Sequence, residues 1–358
     1  MAGPEQQSAD DGAVAEKDRL DADRLTAWMD AHVAGFRGPL TYAKFAGGQS
    51  NPTYRISAAS GDYVLRRKPF GAVLASAHAV DREFALISAL HPTGFPVPRA
   101  FALCRDEDVL GAIFYVMEMV EGRTLWNGAL PEMAPAERRA TYEAMIDTLA
   151  ALHRIDPVAV GLGDYGKPGN YFERQVGRWT KQYRASETDR IEEVDRLIDW
   201  LPRTLPEQQG VAIVHGDYRI DNLIYAPSQP KVVAKVLAVL DWELSTLGDP
   251  LADFSYLLMN WVSAAEGRAG IEGLDLPALG IPTQAEAVAR YCAATGRATL
   301  PDLDWYFAYN FFRLTGIVQG IRKRFLDGTA SSAEAESMAA RVVPLAKSAW
   351  HFAERAGA

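Results

Sequence analysis

The sequence predicts an α+β protein in which a small β-rich lobe precedes a larger, mainly helical lobe. Short alternating segments separated by Gly and Pro turns fill the first 120 residues, and this pattern is typical of antiparallel strands. Helical periodicity dominates the remainder of the chain. The length of 358 residues also favours two lobes over one minimal core.

Each element of this outline follows from a local pattern of apolar spacing and turn residues. The first lobe is predicted to contain, in order, a helix at 21–36, strands at 40–46, 53–58 and 62–67, a helix at 75–90, and strands in RAFALC and GAIFYVMEMV around the turn RDED. The second lobe is predicted to contain helices at 135–153, 170–185, 187–201 and from 249 onward, with short strands in NLIY and VLAVLD. We therefore expect a polar, disordered tail at 1–18, a first lobe at 19–120 and a second lobe at 121–358.

The overall composition excludes several classes of protein. A net charge of −9 argues against a nucleic-acid-binding surface, which requires a basic excess. No apolar run approaches the length needed to span a bilayer, and the polar first 18 residues do not resemble a signal peptide. Cys104 and Cys292 lie far apart, so a disulfide framework and a zinc site are not expected. These features fit a protein of the reducing cytoplasm.

One short segment, HGDYRIDN, places the residues of a phosphoryl-transfer site between two apolar runs. Asp217 is followed five residues later by Asn222 and, after nineteen more, by Asp241 at the end of the strand VLAVLD. An Asp in such a loop can orient a hydroxyl group and accept its proton. The oxygens of Asn and Asp are hard ligands that suit Mg²⁺ when it holds phosphate oxygens. Phosphoryl transfer uses these three parts in this order.

This segment resembles the catalytic loop of the aminoglycoside phosphotransferase and choline kinase group, relatives of the protein kinases. The segment LDWELSTLGDPLADF resembles the metal-binding segment of the same group, and the similarity extends from about residue 40 onward. It is strongest to the branch that is also found fused to acyl-CoA dehydrogenases. The resemblance implies a protein-kinase-like two-lobe fold, with a five-stranded antiparallel sheet in the small lobe. It also implies a catalytic Asp217, Mg²⁺ held by Asn222 and Asp241, and transfer of the γ-phosphate of ATP to a small-molecule hydroxyl group.

Several neighbouring polar residues are expected to support the site without reacting. His215 braces the loop in the related families, and Asp253 could bond to the same loop. Asp249 before Pro250 is typical of a helix N-cap. Glu243, two residues after Asp241, could assist in holding the metal.

The resemblance also assigns the nucleotide side of the site. Because side chains alternate along the strand DYVLRRK, Val64, Arg66 and Lys68 share one face. Alignment with the kinase pattern places Val64 over the adenine and Arg66 at the phosphates, where the usual residue is Lys. Lys68 is the alternative phosphate ligand. Glu83, on the predicted 75–90 helix, is the expected partner of this cation.

Two further segments complete the expected nucleotide site. The loop AGGQSNPTY takes the position of the phosphate-covering loop although it lacks the GxGxxG pattern. In this loop Gly48 permits close backbone approach, and Ser50 or Asn51 could contact phosphate. The segment VMEMVEG is expected to link the lobes, with the backbone of Glu118 and Val120 pairing with the adenine edge. Gly122 would then allow the chain to turn.

The acceptor is expected to lie against the C-terminal helical region. If Arg313 or Arg322 lines its pocket, an anionic hydroxy acid or acyl thioester fits better than a polycationic aminoglycoside. Two other functions remain open from the sequence. One is a non-catalytic nucleotide-binding module on the same fold, and the other is an acyl-CoA dehydrogenase, although no segment of the sequence is typical of a flavin site.

Overall fold

A computed structural model describes residues 18–45, 51–69, 79–167, 169–227, 234–265, 268–329 and 335–358. The chain divides into two compact units by its internal contacts. The first unit consists of Met1–Trp126, Val160–Leu162 and Arg219–Ser245, and the second consists of Asn127–Ala159, Gly163–Tyr218 and Thr246–Ala358. The lobe boundary drawn at residue 120 from the sequence stays a prediction, and Arg219–Ser245, from the later part of the chain, groups with the first unit.

Within the described residues, the first unit is built on an antiparallel sheet of five strands in the order β1-β2-β3-β5-β4. The strands are β1 Leu40–Lys44, β2 Thr53–Ala58, β3 Gly61–Arg67, β4 Ala100–Cys104 and β5 Phe114–Glu118. Three helices accompany the sheet, namely α1 Ala22–His32, α2 Val80–Leu90 and the short α3 Glu107–Leu110. Apolar side chains of α1, including Leu25 and Met29, join those of the strands in one buried core. The predicted turn RDED is partly helical, since α3 begins at Glu107. The side chain of Asp106 caps this helix by accepting a hydrogen bond from the amide of Asp108.

A second sheet of the first unit, in the order β6-β8-β9, holds the residues that follow the HGD motif. Its strands are β6 Arg123–Thr124, β8 Leu223–Tyr225 and β9 Val236–Val239. Because β8 and β9 are antiparallel, with Leu223 opposite Val239, the residue before β8 meets the residue after β9. The carbonyl of Asn222 accepts a hydrogen bond of 2.8 Å from the amide of Leu240. The chain thus carries Asn222 and Asp241 to the same end of this hairpin.

Gly122 is required for close packing and not for a turn. Its φ angle lies outside the positive region, but a Cβ atom there would stand 2.4 Å from the Ile224 side chain and 2.5 Å from the carbonyl oxygen of Tyr225. Gly122→Ala should therefore lower the free energy of unfolding by about 1–3 kcal/mol, as overpacking does. Gly177→Ala is the matched control, since nothing lies within 4 Å of its added Cβ atom. Equal midpoints of urea unfolding for the two variants would contradict this reason for Gly122.

The second unit is mainly helical in its described residues. Its helices are α4 Pro135–Arg154, α5 Tyr171–Ser186, α6 Glu192–Trp200, α7 Leu251–Leu258, α8 Leu276–Leu279, α9 Gln284–Thr295, α10 Asp304–Leu326, α11 Ala335–Ala339 and α12 Val342–Arg355. A two-stranded antiparallel sheet pairs β7 Ala212–Val214 with β10 Thr246–Gly248. Helix α10 packs against α5, α7, α11 and α12, and its aromatic residues from Trp305 to Phe312 are buried, whereas Phe325 near its end is exposed.

None of the described helices is both long and apolar enough to cross a lipid bilayer. Cys104 and Cys292 are both buried with free thiols.

Candidate functional site

The first unit contains a charged cluster centred on Arg66. Its Nε lies 3.1 Å from Oε2 of Glu83, and its Nη2 lies 2.8 Å from Oδ1 of Asp241. Glu243 Oε2 is 3.6 Å from the same Nη2. One guanidinium group therefore links β3, α2 and the segment after β9. A planar fork of donors suits this bridging better than the single ammonium group of Lys.

Burial and neighbouring charges shift the pKa values of this cluster in opposite directions. Burial alone lowers the pKa of Arg66, but the negative charges of Glu83 and Asp241 outweigh it and raise that pKa above its usual value. Burial raises the pKa of the Glu83 carboxyl, and the charge of Arg66 partly offsets the effect. Whether Glu83 is protonated or ionised, the carboxylates of Asp241 and Glu243 outnumber the single positive charge of Arg66, so the cluster has an excess of negative charge. Such an excess favours a cation.

Asp241 has an uncommon backbone geometry. Its φ and ψ angles of 64° and 62° are left-handed, which is uncommon for a residue other than Gly. Strain of this kind costs about 1–3 kcal/mol and concentrates at binding sites. About a third of the Asp241 side chain is exposed.

The oxygen donors at the end of the β8–β9 hairpin fit Mg²⁺. Asn222 and Asp241 both stand there, and Mg²⁺ prefers oxygen ligands. Among the described residues, no group of three or more His, Cys, Asp or Glu side chains is arranged to hold a metal.

The alternatives for the phosphate ligand have different contacts. Lys68 Nζ lies 3.6 Å from Asp81 Oδ1, whereas Arg66 contacts Glu83 and Asp241. Asn51 is buried, and its Nδ2 donates a hydrogen bond of 3.4 Å to Glu243 Oε2. The two other predicted phosphate contacts, Gly48 and Ser50, lie outside the described residues.

The predicted adenine-binding residues lie on β3 and at the end of β5. Val64 is buried and pairs with Met117 of β5. The amide of Glu118 donates to the carbonyl of Arg99, and the Glu118 carboxylate accepts from the amide of Arg99. A contact between Glu118 and adenine would therefore use the carbonyl of Glu118. Val120 lies two residues beyond β5 and is half-buried.

The second unit contains the loop that carries Asp217. This loop leaves β7, and Asp253 on α7 holds it: Oδ2 accepts from the amide of His215 at 2.5 Å, and Oδ1 accepts from the amide of Gly216 at 2.8 Å. His215 is fully buried, and its Nδ1 accepts from the amide of Asp217 at 3.1 Å. His215 and Asp253 therefore support the loop. The structure places the N-cap of α7 at Pro250 and not at Asp249, but the Asp249 side chain accepts a hydrogen bond from the amide of Leu251, the first residue of α7.

Tyr256 is a site residue that the sequence reasoning missed. Its hydroxyl group donates to Oδ1 of Asp217 at 2.9 Å. Tyr256 follows Asp253 by three residues on α7, and residues three apart share a helix face. This spacing could have identified Tyr256 from the sequence, because Asp253 was already expected to bond to the loop.

The two predicted substrate-pocket arginines of α10 have different surroundings. Arg313 is buried, and its Nη2 donates to the carbonyl of Gly216. Arg322 is half-exposed and pairs with Asp189 at 2.5 Å. Of these two arginines, Arg313 lies at the catalytic loop.

Comparison with known proteins identifies the relatives of this chain. Residues 41–306 match the model of the phosphotransferase enzyme family. A crystal structure of a Ralstonia eutropha protein provisionally named as an aminoglycoside phosphotransferase is 49% identical, with a TM-score of 0.85 over 94% of this chain and 99% of that one. A spectinomycin phosphotransferase solved with ADP and spectinomycin shares the fold, with a TM-score of 0.59 at 11% identity over 93% of this chain and 99% of that one. These matches confirm the predicted α+β, kinase-like fold class.

Curated relatives are longer than this chain. Acyl-CoA dehydrogenase family member 10 of Mus musculus is 45% identical over 322 residues, which are 89% of this chain and 30% of the relative. Acyl-CoA dehydrogenase family member 11 of Homo sapiens is 37% identical over 358 residues, which are 96% of this chain and 45% of the relative. The chain thus spans less than half the length of these relatives. By the family model and the near full-length structural match, the chain belongs to the phosphotransferase enzyme family.

Proposed function

We propose that this protein transfers the γ-phosphate of ATP to a hydroxyl group of a small molecule in a Mg²⁺-dependent reaction. The bridging of Arg66 to Glu83 and Asp241 is the observation that carries the proposal. Kinases hold the nucleotide phosphates with a cation on the third strand, which a helical Glu orients. The family membership and the order Asp217, Asn222, Asp241 along the sequence support the same reaction.

Each residue has a defined task in this proposal. Arg66 binds the nucleotide phosphates, and Glu83 keeps its guanidinium group in place. Asn222 and Asp241 would hold Mg²⁺, which would supply positive charge to the nucleotide phosphates. Asp217 orients the acceptor hydroxyl group and takes its proton. Most of the rate enhancement then comes from positioning and charge stabilisation.

We further propose that the acceptor is anionic or neutral and not a polycation. The carbonyl of Gly216, next to Asp217, is bonded to the buried cation Arg313. A polycationic aminoglycoside requires carboxylates around its amines, whereas a cation near the acceptor favours a carboxylate or phosphate group. The names of the curated relatives point to acyl-CoA chemistry. A hydroxy acid or its acyl thioester is therefore the acceptor class to test first.

Asp241→Asn tests the proposed role of Asp241 as a metal ligand. The change should remove most of the Mg²⁺-dependent part of nucleotide affinity, a loss of about 10- to 100-fold or more. Titration calorimetry with AMP-PNP, in Mg²⁺ or in EDTA, measures this difference. Asp62→Asn is the matched control, because Asp62 pairs with Arg55 outside the cluster. A Mg²⁺ effect that persists at full size in Asp241→Asn would contradict the assignment.

A further inference from the structure

The surroundings of Asp217 in the second unit contain two residues, Tyr256 and Arg313, to which the proposed reaction assigns no part in positioning Asp217. Tyr256 donates a hydrogen bond of 2.9 Å to Oδ1 of Asp217. A carboxylate offers about four lone-pair sites, so this bond leaves capacity for an acceptor hydroxyl group. The bond fixes the carboxylate in one orientation, which a general base needs in order to meet a hydroxyl group.

Arg313 contacts both the loop and Tyr256. Its Nη2 donates to the carbonyl of Gly216, directly before Asp217. Its guanidinium carbon lies 4.9 Å from the ring centroid of Tyr256 and 5.5 Å from that of Trp179. The cation is thus held between two aromatic rings, an arrangement that stabilises a desolvated guanidinium group.

The contact between Arg313 and Gly216 helps to fix the backbone that precedes Asp217. Gly216 has a φ angle of 85°, in the left-handed region that favours glycine. Asp253 binds its amide, and Arg313 binds its carbonyl. Both peptide groups that flank Gly216 are therefore fixed, and the direction in which Asp217 leaves the loop is set by them.

We propose that Tyr256 and Arg313 are a pair of positioning residues for Asp217. Tyr256 orients the carboxylate through its hydroxyl group, and Arg313 holds both the Tyr256 ring and the backbone before Asp217. The inference rests on the proposed function for its effect on turnover, but the positioning itself is a property of the second unit.

Electrostatics agrees with this geometry. Burial lowers the pKa of Arg313, but neighbouring groups, Asp217 among them, raise it above its usual value. By reciprocity, the charge of Arg313 favours ionised Asp217. Other titratable groups near the loop and Arg313 include His215 and Tyr218 in the loop, Asp253 on α7, His153 on α4, Tyr171 on α5 and Tyr309 on α10.

Tyr256→Phe tests the pair, because it keeps the ring on Arg313 and removes only the hydroxyl donor. Without that donor the ionised carboxylate of Asp217 loses a hydrogen bond, so the pKa of Asp217 should rise. Phosphoryl transfer from Mg²⁺-ATP, to water or to the acceptor, should slow by about 10- to 100-fold with little change in the KM for ATP. Since the base must be ionised, the acidic limb of the kcat/KM profile should move to higher pH.

Carbon-13 NMR of the Asp carboxyl groups follows the pKa directly, with Asp217→Asn identifying the signal. Tyr142→Phe is the matched control, because it also removes a buried hydrogen bond from a Tyr hydroxyl group, here to the carbonyl of Gly128. An unchanged Asp217 pKa in Tyr256→Phe would overturn the inference, whether or not the protein turns over. Turnover that Asp217→Asn leaves intact would instead overturn the proposed function.

Arg313→Lys tests the second member of the pair. The substitution keeps the charge but loses the planar group that contacts two rings and the Gly216 carbonyl. We expect a lower kcat with little change in the KM for ATP. If this variant kept the wild-type kcat, Arg313 would not be a positioning residue for Asp217.

Discussion

Asp217→Asn is expected to reduce phosphoryl transfer by about 10²- to 10⁴-fold, the usual contribution of a general base. The amide has nearly the size of the carboxylate but cannot accept the proton of the acceptor hydroxyl group. Nucleotide affinity should remain, because Asp217 is assigned to the acceptor and Arg66 to the phosphates. Steady-state kinetics and AMP-PNP calorimetry measure the two effects separately.

The control for this variant is Asp164→Asn, which makes the same charge change at an exposed position of the second unit. It should retain wild-type turnover. If Asp217→Asn turned over as fast as Asp164→Asn, Asp217 would have no role as a base.

Arg66→Met is expected to lower the free energy of unfolding by about 3–5 kcal/mol, because removing one member of a buried ion pair leaves the other charge uncompensated. Glu83 is almost fully buried, and Asp241 and Glu243 also contact the lost cation. The same change should abolish tight nucleotide binding. Adding Glu83→Gln should recover part of the lost stability, because it removes the stranded charge.

Arg55→Met provides the comparison for Arg66. Arg55 pairs with Asp62 at 2.5 Å, but 43% and 27% of the two side chains are exposed. Exposed pairs contribute at most about 1 kcal/mol. Urea unfolding of the three variants measures the difference. Similar losses for Arg55→Met and Arg66→Met would show that burial does not strengthen the Arg66 cluster.

Local patterns in the sequence predicted much of the first unit. Alternation along β3 placed Val64 and Arg66 on one face, and the helical spacing of α2 brought Glu83 into consideration as a partner. Both patterns depend on residues close together in the chain. The described strands of the five-stranded sheet and the helices beside it lie near their predicted positions, because they too follow from local patterns.

Contacts between distant segments could not be predicted in this way. Tyr256 and Arg313 reach the HGD loop from positions 39 and 97 residues away from their partners. The pattern of α10 indicated only a core helix, and its polar members gave no sign of which would touch the loop. Arg67 shows the same limit, since a buried Arg bonded to Tyr54 contradicts the usual exposure of charged residues.

The most direct test of the central claim is transfer of labelled γ-phosphate from ATP to a panel of hydroxy acids, their acyl thioesters, neutral alcohols and aminoglycosides. The reaction is run with Mg²⁺ or with EDTA, using wild-type protein and Asp217→Asn. We predict that an anionic or neutral hydroxy compound becomes labelled by the wild-type protein in Mg²⁺ alone. Labelling that persists in EDTA or in Asp217→Asn, or a wild-type protein that neither labels any compound nor hydrolyses ATP, would contradict the claim.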